Sequence, residues 1–184
     1  MHRYEDTKPL RRIHDRCFLD HIKEDQSLVK RVQDNDGRPN HLGIILDRLQ
    51  ALHGYVGLLQ PYAGWSIRRL TENRIRYGGV LHHLQWSSQI VLDVSAHLNA
   101  ELGLGRVSEY RQSVHNLGPA GILPQEFADR VADLADFRNV LVHQYLTVDP
   151  LKVQEALESG LADLRAFIVY VIDYLKEEGY LPRE

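Results

Sequence analysis

The clearest structural signal in the chain is the segment 149–179, which reads DPLKVQEALESGLADLRAFIVYVIDYLKEEG. It begins with Asp149-Pro150, where an N-cap aspartate precedes a proline at the first helical position. Gly179 is a typical helix end. Between them, apolar residues recur at steps of three and four, which is the spacing of one helical face: Val153, Leu157, Leu161, Leu164, Ile168, Val171 and Leu175. The segment therefore predicts a long amphipathic helix.

The same spacing recurs upstream, and no run alternates as a strand would. It predicts helices over 42–59, 72–102, 108–116 and from Pro124 to Tyr145. The predicted fold class is all-α, an antiparallel four- to five-helix bundle over residues 37–184. A strong turn signal at Asp36-Gly37-Arg38-Pro39 separates it from residues 1–36, which we expect to form a partly helical N-terminal extension.

Composition narrows the class of protein further. The 184 residues are 43% hydrophobic and 26% charged, as in an ordinary globular domain. A single cysteine, Cys17, excludes an internal disulfide framework and a thiolate zinc cluster. No metal-ligand spacing and no glycine-rich phosphate loop is present, so we expect neither a metal nor a cofactor. The start of the chain lacks a secretory signal and no apolar run is long enough to span a bilayer, so we expect a cytoplasmic protein without membrane contact.

The charge distribution gives only local hints about a partner. Net charge is −3, with 14 Lys and Arg against 11 Asp and Glu in residues 1–99, and 8 against 14 in residues 100–184. The net charge therefore does not indicate a nucleic-acid partner, and any electropositive surface has to be local.

The unusual chemistry lies in residues 137–145, FRNVLVHQY. The apolar stripe of the predicted 124–145 helix passes through position 138, so an arginine occupies an expected core position. Such a guanidinium is costly unless it is paired or faces a cleft. Asn139 and His143 are four residues apart and share a helical face, where the amide could orient the imidazole. Spacing alone leaves two interpretations open, a catalytic group or an ordinary salt-bridged arginine with an unremarkable histidine.

Residues 137–145, followed by Val148-Asp149, closely resemble the signature of the HepT family, a branch of the HEPN superfamily of helical ribonucleases. Residues 96–104 and Gly121-Ile122-Leu123-Pro124 are also similar to this family, in the same order and at the same separation. The resemblance extends over about residues 40–178, and residues 1–36 have no counterpart in it.

The resemblance implies the toxin of a toxin–antitoxin pair, a metal-independent endoribonuclease that cuts mRNA or tRNA. Arg138, Asn139 and His143 would be its catalytic residues. Cleavage without a metal uses the 2′-hydroxyl as nucleophile, with a proton-transferring imidazole and a guanidinium that grips the phosphate. Because one chain supplies one such histidine and one such arginine, we expect a homodimer with the motif at a shared cleft.

The resemblance also implies a partner. In HepT-like systems an MntA-like nucleotidyltransferase antitoxin adenylylates the motif tyrosine, here Tyr145. A bulky, negatively charged group near Arg138 would then compete with the substrate phosphate. The plain alternative is that Tyr145 is a core aromatic residue.

The segment 65–77 is the best candidate for an RNA backbone track because it mixes aromatic residues with Arg68, Arg69, Arg74 and Arg76. A solvated helix face is the alternative for this segment. For the whole protein, two other functions stay open: a non-catalytic helical partner of a nucleotidyltransferase, and a nucleotide-binding accessory domain in which Arg138 holds a phosphate.

Overall fold

The computed structural model describes residues 40–105, 108–143 and 147–182, and within these ranges the regular structure is helical, without strands. The elements, in chain order, are α1 (His41–Leu59), a 3-10 turn (Gln60–Tyr62), α2 (Ile67–Thr71), α3 (Arg74–Glu101), α4 (Tyr110–His115), α5 (Gln125–Val131), α6 (Leu134–His143), α7 (Pro150–Glu155), a π-helical turn (Ala156–Gly160) and α8 (Leu161–Glu177). The predicted all-α bundle is confirmed. The extension at residues 1–36 lies outside the described residues, and the domain boundary at residue 37 stays a prediction.

Helix α3 is the centre of the bundle and packs against α1, α2, α4, α6 and α8. Its pairing with α1 is antiparallel, because Tyr55 of α1 contacts His83 of α3 while Arg48 lies beside Asp93. Asn40 caps α1 by accepting a hydrogen bond from the Gly43 amide at 3.0 Å. The two longest predicted helices in the first half of the chain, 42–59 and 72–102, thus form within two residues of their expected limits.

The C-terminal segment follows its sequence pattern closely. The Asp149 side chain accepts from the Leu151 amide at 2.9 Å, so the predicted N-cap is present. All seven residues of the predicted apolar stripe are buried. The helix runs through the π-helical turn at 156–160, which the apolar spacing did not predict, and ends at Gly179 with a φ of +76°. A hydrophobic face of this length is the main reason why the segment folds onto the bundle.

The predicted continuous helix from Pro124 to Tyr145 is wrong. The chain forms α5 over Gln125–Val131 and α6 over Leu134–His143, with a turn at 132–133. Asp133 precedes α6, and its carbonyl accepts from the Phe137 amide at 3.1 Å. Aspartate favours such an N-terminal position because its charge complements the helix dipole. The core position expected for residue 138 was derived from one continuous helix, which the chain does not form.

The buried side-chain amide of Asn99 links the C-terminal end of α3 to α4 and the residue that follows it. Asn99, 2% exposed, donates to the carbonyls of Ser95 at 2.8 Å and Ser113 at 2.6 Å. Its Oδ1 accepts from the Asn116 amide at 2.9 Å. These bonds satisfy the buried amide and hold α4 against α3, and α4 in turn contacts α6, the helix with the unusual motif.

Candidate active site

Helix α6 carries the three residues singled out in the motif, and its start is anchored by charge. Arg111 of α4 lies 2.7 Å from an Asp133 oxygen and 3.1 Å from an Asp136 oxygen. Both carboxylates sit at or near the N-terminus of α6, where negative charge is favourable. The ion pairs join α4 to the N-terminal end of α6, the helix that carries Arg138, Asn139 and His143.

Arg138 is half-buried rather than part of the core, which corrects the expectation from the apolar stripe. Its Nε donates to Gln89 Oε1 of α3 at 2.7 Å, and its Nη1 donates to Asn139 Oδ1 at 3.2 Å. Both acceptors are neutral amides. Two hydrogen bonds therefore partly satisfy the donors of the half-buried Arg138 guanidinium. Neither acceptor is negatively charged, so these two bonds leave the positive charge of Arg138 uncompensated.

Asn139 and His143 are both exposed, and His143 is the last described residue of α6. Residues four apart on a helix lie about 40° apart around its axis, so these two share a face as predicted. The Asn139 oxygen accepts from Arg138, a contact that the sequence did not indicate. Residues five apart lie about 140° apart, so Arg138 and His143 of one chain point in different directions.

Tyr145, the predicted modification site, lies outside the described residues. Its position relative to Arg138 therefore stays a prediction.

The arginine-rich segment does not form one helical face. It divides into α2 and the start of α3, with Ser66 and Asn73 as N-caps. Arg68, Arg69 and Arg74 are exposed, in keeping with contact to a charged ligand.

Arg76 and Arg69 take part in a cluster of contacts around Trp65. Arg76 is half-buried, and its Nη2 donates to Glu72 at 2.9 Å and to the Arg69 carbonyl at 2.7 Å. Its guanidinium and that of Arg69 both lie over the Trp65 ring, at 4.8 and 3.7 Å from the ring centroid. This cluster stabilises the α2–α3 corner through cation–π contacts, and its charge is partly neutralised by Glu72.

The N-terminal turn of α3 also approaches the start of α7. Burial, followed by the carboxylate of Asp149, raises the pKa of Tyr77.

Two features are absent from the described residues. None of the helices there is long and apolar enough to cross a membrane. No group of three or more His, Cys, Asp or Glu side chains within the same ranges could hold a metal ion.

Gln89 is a residue of this site that the sequence interpretation missed. It is 49 positions from Arg138, and only the tertiary packing of α3 on α6 brings the two together. The available signal was weak: Gln89 and Asp93 form a polar i,i+4 pair within the largely apolar middle of α3.

Comparison with known proteins identifies the family of the chain. The model of the family described as "Ribonuclease HepT-like" matches residues 52–171. A candidate RNase of Archaeoglobus fulgidus is 36% identical over 112 residues, which is 61% of this chain and 84% of that protein. The tRNA nuclease HepT of Aphanizomenon flos-aquae is 29% identical over 132 residues, 72% of this chain and 90% of that protein.

Solved structures agree in fold. The tri-AMPylated HEPN toxin of Shewanella oneidensis, solved in complex with its MNT antitoxin, superposes with a TM-score of 0.64 at 21% identity. The match covers 71% of this chain and 97% of that toxin. The fold is therefore that of the helical HEPN proteins. Because the family model matches well over half of its length, the chain belongs to the HepT-like ribonuclease family.

Proposed function

We propose that this protein is the toxin of a toxin–antitoxin pair and cleaves RNA, either tRNA or mRNA, without a metal ion. The observation that carries the proposal is the presence of Arg138, Asn139 and His143 on one helix in a chain of the HepT-like ribonuclease family. The name of the Aphanizomenon relative, a tRNA nuclease, supports RNA as the substrate.

The proposed chemistry uses the 2′-hydroxyl of the substrate. His143 takes the proton of that hydroxyl or gives one to the leaving 5′-oxygen, and it is exposed, as a group that must reach a polymer has to be. Arg138 binds the phosphate through the N–H groups that do not donate to Gln89 or Asn139. DNA has no 2′-hydroxyl, so this route does not cut it.

The proposed assembly is a homodimer with one shared cleft. The roughly 140° between Arg138 and His143 around α6 prevents one chain from readily aiming both groups at one phosphate. A two-fold axis beside α6 would place Arg138 of one copy opposite His143 of the other. The site would then be complete only in the dimer.

The proposed control is adenylylation of Tyr145 by an MntA-like nucleotidyltransferase antitoxin. The AMPylated state of the Shewanella toxin and its complex with an MNT antitoxin support this partner. An added AMP carries a negative phosphodiester, which would compete with RNA for Arg138.

The test of the cleavage proposal uses purified protein, a single-stranded RNA and the DNA of the same sequence. We expect cleavage of the RNA alone, and we expect it to survive EDTA. His143→Ala should lower the cleavage rate by about 10²–10⁴-fold, because a general acid or base is lost. Arg138→Ala should lower it by about 10²–10³-fold through lost charge stabilisation.

His115 supplies a matched control. It is a half-exposed histidine of α4 whose Nε2 lies 3.2 Å from an Asp129 oxygen of α5, and it is not part of the 138–143 motif, so His115→Ala should leave the rate within about twofold of wild type. Equal cleavage with and without His143 would refute the assignment. Binding of AMP without RNA turnover would instead favour a nucleotide-binding accessory domain, and binding of the nucleotidyltransferase alone a non-catalytic partner.

A further inference from the structure

A chain of polar contacts connects α1, α3 and α6 and ends at Arg138. Arg48 of α1 lies 3.9 Å from Asp93 Oδ2. Asp93 Oδ1 accepts from Gln89 Nε2 at 2.7 Å, and Gln89 Oε1 accepts from Arg138 Nε at 2.7 Å. We call this set the Arg138 relay. It consists of Arg48, Asp93, Gln89 and Arg138.

The amide of Gln89 has a fixed orientation in the relay. Its N–H₂ group can only donate, so the contact with the Asp93 carboxylate turns the carbonyl oxygen of Gln89 toward Arg138. Arg48 of α1 lies 3.9 Å from the second oxygen of Asp93 and attracts the carboxylate from that side. The carboxylate therefore meets Gln89 rather than Arg138.

The consequence concerns charge. A carboxylate in direct contact with Arg138 would form an ion pair and compete with a substrate phosphate for the guanidinium. The neutral amide holds the guanidinium without that competition. Among the described residues, the bonds to Gln89 and Asn139 use two of the five guanidinium donors, so three N–H donors stay available for a phosphate.

We propose that Gln89 is the positioning residue of Arg138: it fixes the guanidinium on α6 while keeping its positive charge available to the RNA phosphate. This inference rests on the proposed ribonuclease function, in which Arg138 contacts the phosphate. Asp93 and Arg48 act one step further back by setting the orientation of the Gln89 amide.

Gln89→Glu and Gln89→Leu separate the two parts of this role. The glutamate keeps the size of the side chain and puts a carboxylate on Arg138, so the charge is compensated. The leucine removes the hydrogen bond and leaves the charge. Gln125→Glu is the matched control, because Gln125 also donates to an aspartate four residues on, Asp129, at 2.8 Å, but on α5.

Two measurements are made on each full-length variant. The first is the rate of RNA cleavage. The second is the affinity for the same oligonucleotide with a 2′-deoxy nucleotide at the cut position, measured over a range of salt concentrations. For a single strand, each phosphate contact by a cation contributes about 0.7 to the slope of log affinity against log salt. Thermal unfolding of every variant monitors the fold.

For Gln89→Glu we expect the cleavage rate to fall about 10²–10³-fold and the salt slope to fall by about 0.7, as in Arg138→Ala. For Gln89→Leu we expect the rate to fall about 10–100-fold through misplacement of the guanidinium, with an unchanged salt slope. Gln125→Glu should behave as wild type in both measurements. A merely structural role of Gln89 would not produce this difference in salt slope between two variants at one position.

The outcomes distinguish the inference from the function on which it rests. Loss of cleavage in Arg138→Ala together with wild-type rates in both Gln89 variants would overturn the positioning role alone. A wild-type protein that binds but does not cleave RNA would overturn the proposed function. In that case the salt slopes of the Glu and Leu variants still decide whether Gln89 controls the charge of Arg138.

Discussion

At the scale of single residues, the site depends on how a charged group is kept partly buried without losing its charge. Arg138 lies against α3 and bonds to the amides of Gln89 and Asn139. Arg76, by contrast, is paired with Glu72 and stacked on Trp65. The same residue type thus serves two purposes in one chain, and the charge of its partners distinguishes them.

Tyr145 gives the prediction that belongs to this scale. Incubation with the cognate nucleotidyltransferase and ATP should add one or more whole AMP units to the wild-type protein and abolish RNA cleavage. Tyr145→Phe keeps the ring but lacks the acceptor oxygen, so it should gain no mass and keep at least part of its nuclease activity. Intact-mass spectrometry of both proteins is the measurement. AMP addition to the Phe variant, or none to the wild type, would show that another residue or no residue is the acceptor.

At the scale of elements, α3 is the helix against which Arg138 is held. It contains two consecutive glycines just after its first turn. Gly78 and Gly79 lie within Arg74–Glu101 and do not interrupt it. Their φ angles are not positive, and a Cβ added at either would meet nothing within 4 Å. Sterically, alanine would fit at either position. The glycines lower the stability of α3, because they lose more backbone entropy on folding than alanine would.

Gly78→Ala should consequently stabilise the protein by about 1 kcal/mol, which corresponds to a rise of roughly 2–4 °C in Tm for a chain of this size. Gly179→Ala is the control with the opposite sign. Gly179 has a φ of +76° at the end of α8, where an L side chain costs about 1–2 kcal/mol. Thermal unfolding of both variants measures the difference. A destabilised Gly78→Ala would mean that this exposed position has a contact beyond the single chain.

At the scale of the whole molecule, the proposed site requires two copies of the chain. Arg138 and His143 lie about 140° apart around α6. A dimer that shares the cleft would bring Arg138 of one chain to His143 of the other.

Mixing two inactive variants tests this assembly. Arg138→Ala and His143→Ala should each be inactive, but after co-expression and random pairing about half of the dimers are mixed. A wild-type dimer has two Arg138–His143 pairs in the shared cleft, each formed by both chains, and each mixed dimer keeps one of them, so about one quarter of wild-type activity should return. Light scattering establishes the dimer independently. A mixture that stays inactive, or a protein that scatters as a monomer, would contradict a site shared between chains.

The helix predicted in most detail was the one with start, face and end signals together. The 149–179 segment has an N-cap, a proline, seven apolar residues at helical spacing and a terminal glycine, and all of these act as predicted. The 124–145 helix was wrong because Val131 and Leu134 continue the apolar spacing across a turn, while the opposing signal, Asp133 at an N-terminal position, is a single residue. Periodicity reports which side chains face the core, and two consecutive helices can keep the same face.

The sequence by itself determined the all-α class, the main helices and the motif 138–143 with its family, because these depend on residue types at short spacing. Only the tertiary structure decided how Arg138 is held. Gln89 lies 49 residues away, and its role depends on the packing of α6 on α3 and on the orientation that Asp93 gives to its amide. A hydrogen bond between distant segments has no local signature, since the free energy that brings them together comes from the buried apolar faces of the helices and not from the polar residues themselves.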